Sequence, residues 1–446
     1  MNHGLEPEHD YIVIGSGAGG GTIAARLAEA GQRVLVIEAG PDPRELAEAQ
    51  SRADYRVPAF HAAASEDPSF SWPYFVSHFD DPAALARDRN ASASGIFYPR
   101  AAALGGCTAH NAMIFLPPPD ADWDRIAALT GDAGWSAEAM RRHRRTVEAC
   151  RHRPMRRLLA LLGLDRTGHG WRGWLSVERA MPLKAVGDLS LMRMLARLAW
   201  SDLTRNPRWL DRLRTFLGDW GDPNDRRRGG AEQLCYLPLA TRRHARTGTR
   251  ERLRSVARAH PANLEIRTDT IATELLFNGG RVSGIAWQRG RGLHRDPARP
   301  PDAIGVSHAA REVIVAAGSF ATPQLLMLSG IGDPAALAQL GVAVRVASPE
   351  VGRNLQDRYE IGVVHRMATP WASLRGARFS TRDPLYRRWR WLRRGMYISN
   401  GGALAALRRS GTACTDDPDL ALMALLGRLA GIAKVMRRRC GRVSTD

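Results

Sequence analysis

Three features of this sequence predict an α/β fold whose parallel sheet is assembled from discontinuous segments. The first is Asp10-Tyr-Ile-Val-Ile14, a short β-branched run that passes directly into Gly15-Ser-Gly17-Ala-Gly-Gly20 and then into Thr22-Ile-Ala-Ala-Arg-Leu-Ala-Glu29, which has helix-forming composition. The second is Arg33-Val-Leu-Val-Ile37, a strand that ends in Glu38. The third lies far downstream, where Glu312-Val-Ile-Val-Ala316 runs into Ala317-Gly318 and a Leu-rich helix ending at Ser329-Gly-Ile-Gly332. Strand, glycine turn and helix follow one another as in a Rossmann-like dinucleotide layer, and the two separated junctions imply that distant stretches build it together.

The first three glycines have separate tasks. Gly15 permits the tight strand-to-helix turn, Gly17 lets the backbone approach a pyrophosphate, and Gly20 lets the helix pack closely on the strand. The helix start then offers free N–H groups at a positive end, which is an anion site. Glu38 stands at the end of the second strand, where an acidic side chain accepts hydrogen bonds from a ribose diol and repels a 2′-phosphate. A glycine turn with no ligand would leave Glu38 unexplained.

From Glu38 to about Gly95 the chain is polar and contains proline, which predicts loops covering a cofactor rather than regular core elements. Tyr98-Pro-Arg-Ala-Ala-Ala-Leu104-Gly-Gly-Cys-Thr-Ala-His-Asn111-Ala-Met-Ile-Phe115 follows, with paired glycines leading into small and polar residues and then an apolar run. That order suits a chain sliding past a flat ligand. Leu191, Met194, Leu195 and Leu198 fall at helical spacing beside Arg193 and Arg197, and Trp209, Leu213, Phe216 and Leu217 continue the pattern. A helix packing its apolar stripe on the body of the protein is the favoured interpretation, ahead of peripheral contact with a membrane surface. After Asn263 the pattern turns to strands: Leu264 to Thr268, Glu274 to Phe277, and Val282 to Trp287, the last two joined through Asn278-Gly-Gly280, a strong hairpin signal.

At 446 residues the chain exceeds what one hydrophobic core organises, so two domains are expected. No charged and then apolar leader precedes Asp10, no apolar run reaches spanning length, and five cysteines without a C-x-x-C pair suit a reducing compartment; a cytoplasmic protein is the expectation. The net charge of +19 raises the question of nucleic acid. Only Lys184 and Lys434 are lysines among 64 basic residues, an arginine bias that argues against selection for binding at each position. The first 100 residues carry 8 Arg against 14 acidic residues, so the excess lies elsewhere, in runs such as Arg226-Arg-Arg228 and Arg437-Arg-Arg439 without any nucleic-acid motif. No nucleic-acid partner is expected. No metal site is expected either, because the histidines are scattered and no pair has ligand spacing beside cysteine or carboxylate partners.

Taken together, these segments resemble the glucose-methanol-choline (GMC) flavin oxidoreductases. Gly15-Ser-Gly-Ala-Gly-Gly20 with Glu38 is similar to the family's FAD-binding start, and Leu104-Gly-Gly-Cys-Thr-Ala-His-Asn111 to its first signature. Gly318-Ser-x-x-Thr322-Pro-x-Leu-Leu-x-x-Ser329-Gly-Ile-Gly332 resembles the second, and Val351-Gly-Arg-Asn-Leu-Gln-Asp357 the segment after it. The resemblance implies an FAD-binding Rossmann-like domain plus an α+β substrate (cap) domain. The implied division is an FAD-binding domain at 8–160 and 229–335, a substrate or cap segment at 161–228, and an incomplete substrate domain at 336–446.

The resemblance makes FAD the cofactor, with its ADP moiety on Gly15, Gly17, Gly20 and Glu38. Gly105, Gly106, Cys107, Thr108 and Asn111 would run along the pyrophosphate and isoalloxazine, and Ala317 and Gly318 would sit near the phosphates. His110 has two implied roles: a covalent bond to the flavin, as in relatives similar to choline oxidase, or simple packing and hydrogen bonding. The implied chemistry is oxidation of the CH–OH group of a small-molecule alcohol, with oxygen or another electron acceptor. A non-catalytic flavin-binding fragment and a flavoenzyme for another substrate class are the alternatives. In the family the catalytic base lies in a C-terminal His-Pro-x-Gly-Thr-like segment, and none is present here; the last histidine is His365. The catalytic residues are therefore left unassigned, and the tail from Lys434 to Asp446 is expected to reflect truncation or a shifted reading frame.

Overall fold

The computed structural model describes residues 8–88, 91–92, 94–180, 192–193, 196–197, 200, 221–225, 232–357, 360–368, 370–413 and 417–426. The apolar positions of the amphipathic stretch between Leu191 and Leu217, the arginines 226–228, and the tail beyond 426 lie outside the described residues.

Numbered in chain order, the principal layer contains β1 (His9–Ile14), α1 (Ala18–Glu29), β2 (Val34–Ile37), α2 (Thr249–Ala259), β3 (Leu264–Arg267), β4 (Thr270–Asn278), β5 (Arg281–Arg289), β6 (Ala303–Val315) and α3 (Gly318–Leu328). Its six strands lie in the order β3-β2-β1-β6-β5-β4. β1 is parallel to β2, with Ile14 opposite Ile37, and to β6, with Ile14 opposite Val315. β3 extends the parallel set on the far side of β2. β4 and β5 form an antiparallel hairpin that adds to β6. Strands from residues 9–37 thus interleave with strands from 264–315, the discontinuous assembly expected from the sequence.

The reason lies in burial on both faces. Ile12, Val13, Val34, Leu35 and Val36 are all 0 % exposed, which explains why the Ile12-Val-Ile14 end of β1 and all of β2 are apolar. Val13, Val34 and Val36 meet Ala24, Ala25 and Ala28 of α1 and Leu253 and Val256 of α2. On the other face, Ile12, Ile14, Leu35 and Ile37 meet Leu275, Ile285 and Leu325. The hairpin forms where Asn278-Gly-Gly280 predicts it, with Asn278 opposite Arg281 and Gly279 at φ +61°.

The segment between Glu38 and Gly95 departs from expectation. It contains helices Ala49–Arg56, His61–Glu66 and Pro82–Arg87, and buries Tyr55, Phe60 and Phe70. Partners far along the chain hold these short helices: Phe60 packs edge-on against Tyr397, and the Tyr55 hydroxyl donates to Glu251 at 2.8 Å. Helices of one or two turns are stabilised by tertiary packing rather than by local pattern, so polarity alone misreads them.

Beside this layer, strands Ala245–Arg246, Pro238–Arg242, Leu175–Arg179 and Glu148–Cys150 form a four-stranded sheet in that order. A three-stranded sheet joins Gln233–Cys235, Gly402–Arg408 and Leu420–Leu425. Met113, Cys235, Leu237, Leu239 and Ala405 share one buried cluster, which ties the residues after Asn111 to this second unit. Among the described residues, no helix is long and apolar enough to cross a membrane.

Candidate functional site

β1 and β6 end side by side: the Ala316 N–H donates to the Ile14 carbonyl and the Gly15 N–H to the Ile37 carbonyl, both at 2.8 Å. Gly15 has φ +96°, and a Cβ there would lie 2.4 Å from the Ala316 oxygen. A Cβ on Gly20 would lie 2.0 Å from the Gly15 oxygen. Both positions therefore require glycine for packing. Gly17 differs, since a Cβ there would meet nothing nearer than the Gly106 Cα at 3.8 Å. Gly17 caps α1 without a side-chain hydrogen bond, which leaves the first N–H groups of the helix for something else to satisfy.

The second glycine pair folds across that opening. Gly105 and Gly106 have φ +105° and +51°, and a Cβ on Gly106 would stand 2.6 Å from the Gly17 Cα. The Gly105 N–H donates to Ser16 Oγ at 2.9 Å, and Thr108 Oγ1 donates to the Gly105 carbonyl at 2.6 Å. Thr249 Oγ1, at the start of α2, lies 3.1 Å from both the Ser16 and Gly105 carbonyls. Two helix starts, α1 and α2, thus converge on one glycine-lined junction, and both carry positive ends. Glu38 is 5 % exposed beneath it, accepting from the Ser16 N–H at 3.1 Å, Ser16 Oγ at 2.5 Å and the Gly40 N–H at 3.2 Å. Burial pushes the Glu38 carboxyl up to about 6, against the opposite pull of those donors.

Most residues singled out from the sequence meet here. Gly15, Gly17, Gly20, Glu38, Gly105, Gly106 and Thr108 share the junction, and Ala317 touches it through Gly15, whose added Cβ would lie 3.0 Å from the Ala317 Cα. Gly318 has φ +92° and open space where a Cβ would point. Cys107 is a half-buried free thiol. His110 is 7 % exposed with an Nδ1 that has no hydrogen-bond partner. Burial, followed by the charges of Arg246 and Arg100, pushes its imidazole down to about 3, so it is neutral at any physiological pH. Asn111 is exposed, and its Oδ1 is taken by Arg246 Nη1 at 2.8 Å and the Met113 N–H at 3.1 Å.

Residues that local sequence does not single out complete the junction: Ser16, Thr249, Arg246, and the buried pair of Arg250 with Asp42. Arg250 Nε and Nη2 donate to the two Asp42 oxygens at 2.5 and 2.8 Å. Burial alone would raise Asp42, but the Arg250 guanidinium more than offsets this and holds the carboxyl below its usual range. One local signal was available: Gly248 caps α2 and Glu251 accepts its N–H at 3.1 Å, so Gly248-Thr-Arg-Glu251 is a readable helix start.

Residues 9–360 of this chain match the family model described as GMC oxidoreductase. The chain belongs to that family. Dehydrogenase eriK of Hericium erinaceus is 28 % identical over 78 % of this chain and 52 % of its own length. The oxygen-dependent choline dehydrogenase of Burkholderia pseudomallei is 29 % identical over 81 % of this chain and 54 % of its own. The chain spans about half the length of these curated relatives. In fold, this GMC oxidoreductase is similar to an FAD-dependent oxidoreductase from Chaetomium thermophilum, with TM-score 0.64 and 24 % identity, over 90 % of this chain and 62 % of that one.

The cofactor of this GMC oxidoreductase is FAD, and the junction fits it. Four buried polar atoms, His110 Nδ1, Arg100 Nε, Arg246 Nη2 and the Tyr74 hydroxyl, have no hydrogen-bond partner among the described residues. They belong to one neighbourhood: Arg246 and Arg100 both act on His110, Arg100 lies 5.6 Å from the Phe320 ring centroid, and Tyr74 stacks on Phe320 at 5.1 Å, two residues beyond Gly318. Unsatisfied donors beside aromatic faces suit a large, flat, polar-edged ligand.

The sequence-based view of the histidines as scattered is corrected by the fold. Cys150, His152 and His169 place potential ligand atoms within 4.8 Å of one another. Chain folding between His152 and His169, not sequence spacing, makes this group.

Proposed function

We propose that this chain carries the FAD-binding portion of an enzyme that oxidises the CH–OH group of a small-molecule alcohol, with oxygen or another electron acceptor closing the cycle. The observation that carries this reading is the open face over Gly17, where the starts of α1 and α2 and the Gly105 to Thr108 turn converge above buried Glu38. When bound, FAD supplies the hydride acceptor. The residues of the chain bind and orient it. The α1 start and Gly17 hold the pyrophosphate, Glu38 accepts from the ribose hydroxyls, and Gly105, Gly106, Cys107 and Thr108 line its path, with Ala317 and Gly318 beside the phosphates. Asn111 is held by Arg246 and marks the edge of that path.

His110 stands apart because it is buried, neutral and unpartnered at Nδ1. Those properties suit an uncharged group beside the flavin, whether covalently attached to FAD or packing on and hydrogen-bonding it. The division into an FAD-binding domain at 8–160 and 229–335 and substrate segments at 161–228 and 336–446 is part of the same proposal.

Anaerobic mixing of the yellow protein with a panel of alcohols, choline included, and with amines tests the reaction class. Bleaching by an alcohol alone is the expected result. Bleaching by an amine alone would shift the substrate class, and a flavin that only dithionite reduces would identify a binding fragment without turnover.

A further inference from the structure

The GMC flavin site leaves one buried cluster of chemistry-bearing side chains unused. Cys150 ends strand Glu148–Cys150, His152 follows two residues later, His169 lies before strand Leu175–Arg179, and Asp222 sits in the turn at 221–225. Their side chains are sealed from water: His152, His169 and Asp222 are 3 %, 0 % and 1 % exposed, and Cys150 is buried.

The donor atoms face one another. Cys150 Sγ lies 3.6 and 3.7 Å from the two nitrogens of His152. Asp222 Oδ2 lies 3.3 Å from His152 Nε2 and 3.1 Å from His169 Nε2. A tetrahedral ion with bonds of about 2.0–2.1 Å to nitrogen and 2.3 Å to sulfur holds neighbouring donors roughly 3.3–3.6 Å apart; Cys150 Sγ to His152 Nε2 at 3.7 Å is close to that spacing, and the ligand atoms of Cys150, His152 and His169 all lie within 4.8 Å of one another. The far side of each imidazole is already oriented: His169 Nδ1 is 2.8 Å from Glu148 Oε1, and His152 Nδ1 is 3.3 Å from the Val177 carbonyl. Carboxylate and carbonyl partners of this kind turn the other ring nitrogen toward a metal and fix its tautomer. Asp222 is supported in turn by Arg153 Nη1 at 2.9 Å and by the Asn224 N–H at 3.0 Å to its other oxygen.

We propose that Cys150, His152 and His169 hold a structural zinc-type divalent cation, with Asp222 seated against both imidazoles. One thiolate and two imidazoles with ligand atoms within 4.8 Å of one another, and a carboxylate against both imidazoles, match the ligand chemistry that zinc takes in structural sites. On binding, the Cys150 thiol gives up its proton to solvent as the metal–sulfur bond forms. The ion staples together three stretches that are distant in sequence, 148–153, 169–170 and 221–225, in the unit beside the flavin layer. A surface cavity of about 630 Å³ lined by Arg145, Asp165, Gly168, His169 and Trp171 lies beside the cluster.

The alternative is a metal-free network in which Asp222 merely hydrogen-bonds two protonated histidines. Metal content of the purified full chain separates them, with circular dichroism confirming the fold of each variant. About one zinc per chain is expected in the wild type, with at least a tenfold loss in Cys150→Ser and in His169→Ala and no loss in the His365→Ala control. Cobalt(II) added to chelator-stripped wild-type protein provides a second readout that does not depend on the variants folding: a sulfur-to-cobalt charge-transfer band with strong tetrahedral visible bands is expected. Folded wild-type protein with neither zinc nor that cobalt spectrum, or Cys150→Ser retaining full metal, would overturn the proposal.

Discussion

Gly106 packs so tightly on Gly17 that a Cβ on Gly106 would stand 2.6 Å from the Gly17 Cα, whereas a Cβ on Gly17 would meet nothing nearer than 3.8 Å. The contact is therefore asymmetric: the fold requires glycine at 106 but leaves room for a Cβ at 17.

That asymmetry separates folding from binding in experiment. Gly17→Ala is expected to keep the melting temperature, since Gly17 has φ −65°, which alanine adopts freely. Its FAD affinity should fall by roughly 10- to 100-fold, about 1.4–2.7 kcal/mol. Gly20→Ala, whose Cβ would lie 2.0 Å from the Gly15 oxygen, should instead destabilise the protein by about 1–3 kcal/mol, overpacking being the cause. Thermal melts and FAD titrations of both variants check this. Equal affinity in wild type and Gly17→Ala would remove the pyrophosphate from this junction.

Glu38 should give the apoprotein a characteristic pH dependence. Its carboxyl is raised from 4.5 to about 6, so its contribution to stability is fully present below pH 4.5 and is lost as pH rises through 6. The loss amounts to about 2 kcal/mol at 1.36 kcal/mol per unit. Glu38→Gln should flatten that slope and stabilise the apoprotein at pH 7. The same variant should weaken FAD binding roughly tenfold, because an amide accepts the ribose hydroxyls less strongly than a carboxylate. Urea midpoints between pH 4 and 8 decide it; an unchanged slope would mean that Glu38 is not buried as described.

His110 acts with the opposite sign. An imidazole depressed from 6.5 to about 3 contributes stability above pH 6.5 that is lost as pH falls toward 3. His110→Leu should therefore make the apoprotein less acid-sensitive, and should also release all colour on acid precipitation if the wild type retains it. Colour that stays with the His110→Leu pellet would place the covalent link elsewhere.

The Asp42–Arg250 pair holds α2 against the chain after β2. Asp42→Ala should cost up to about 3–5 kcal/mol by leaving the buried Arg250 guanidinium with Glu251 as its remaining carboxylate, and Asp42→Leu with Arg250→Met should recover much of it. Chemical denaturation of the single and double variants measures the difference.

Legibility in the sequence followed the range of each interaction. Gly15, Gly17, Gly20 and Glu38 were readable because a strand, a turn and a helix start are local structures with local residue requirements, and Asn278-Gly-Gly280 was readable for the same reason. Thr249 and Arg250 were not, since they reach Ser16 and Asp42 across 233 and 208 residues. Tyr55 and Phe60 were hidden inside a stretch whose average polarity suggested loops, because their partners Glu251 and Tyr397 lie far away. Cys150 and His169 were hidden likewise: only the pairing of strands Glu148–Cys150 and Leu175–Arg179 brings them together.

The central claim is that the glycine junction of this chain is an FAD site. The visible absorption spectrum of the purified 446-residue protein, with flavin counted against protein, tests it most directly. About one flavin per folded chain, taken up on addition of FAD if lost in purification and greatly reduced in Gly17→Ala, is the expected result. A folded, colourless protein that ignores added FAD would contradict it.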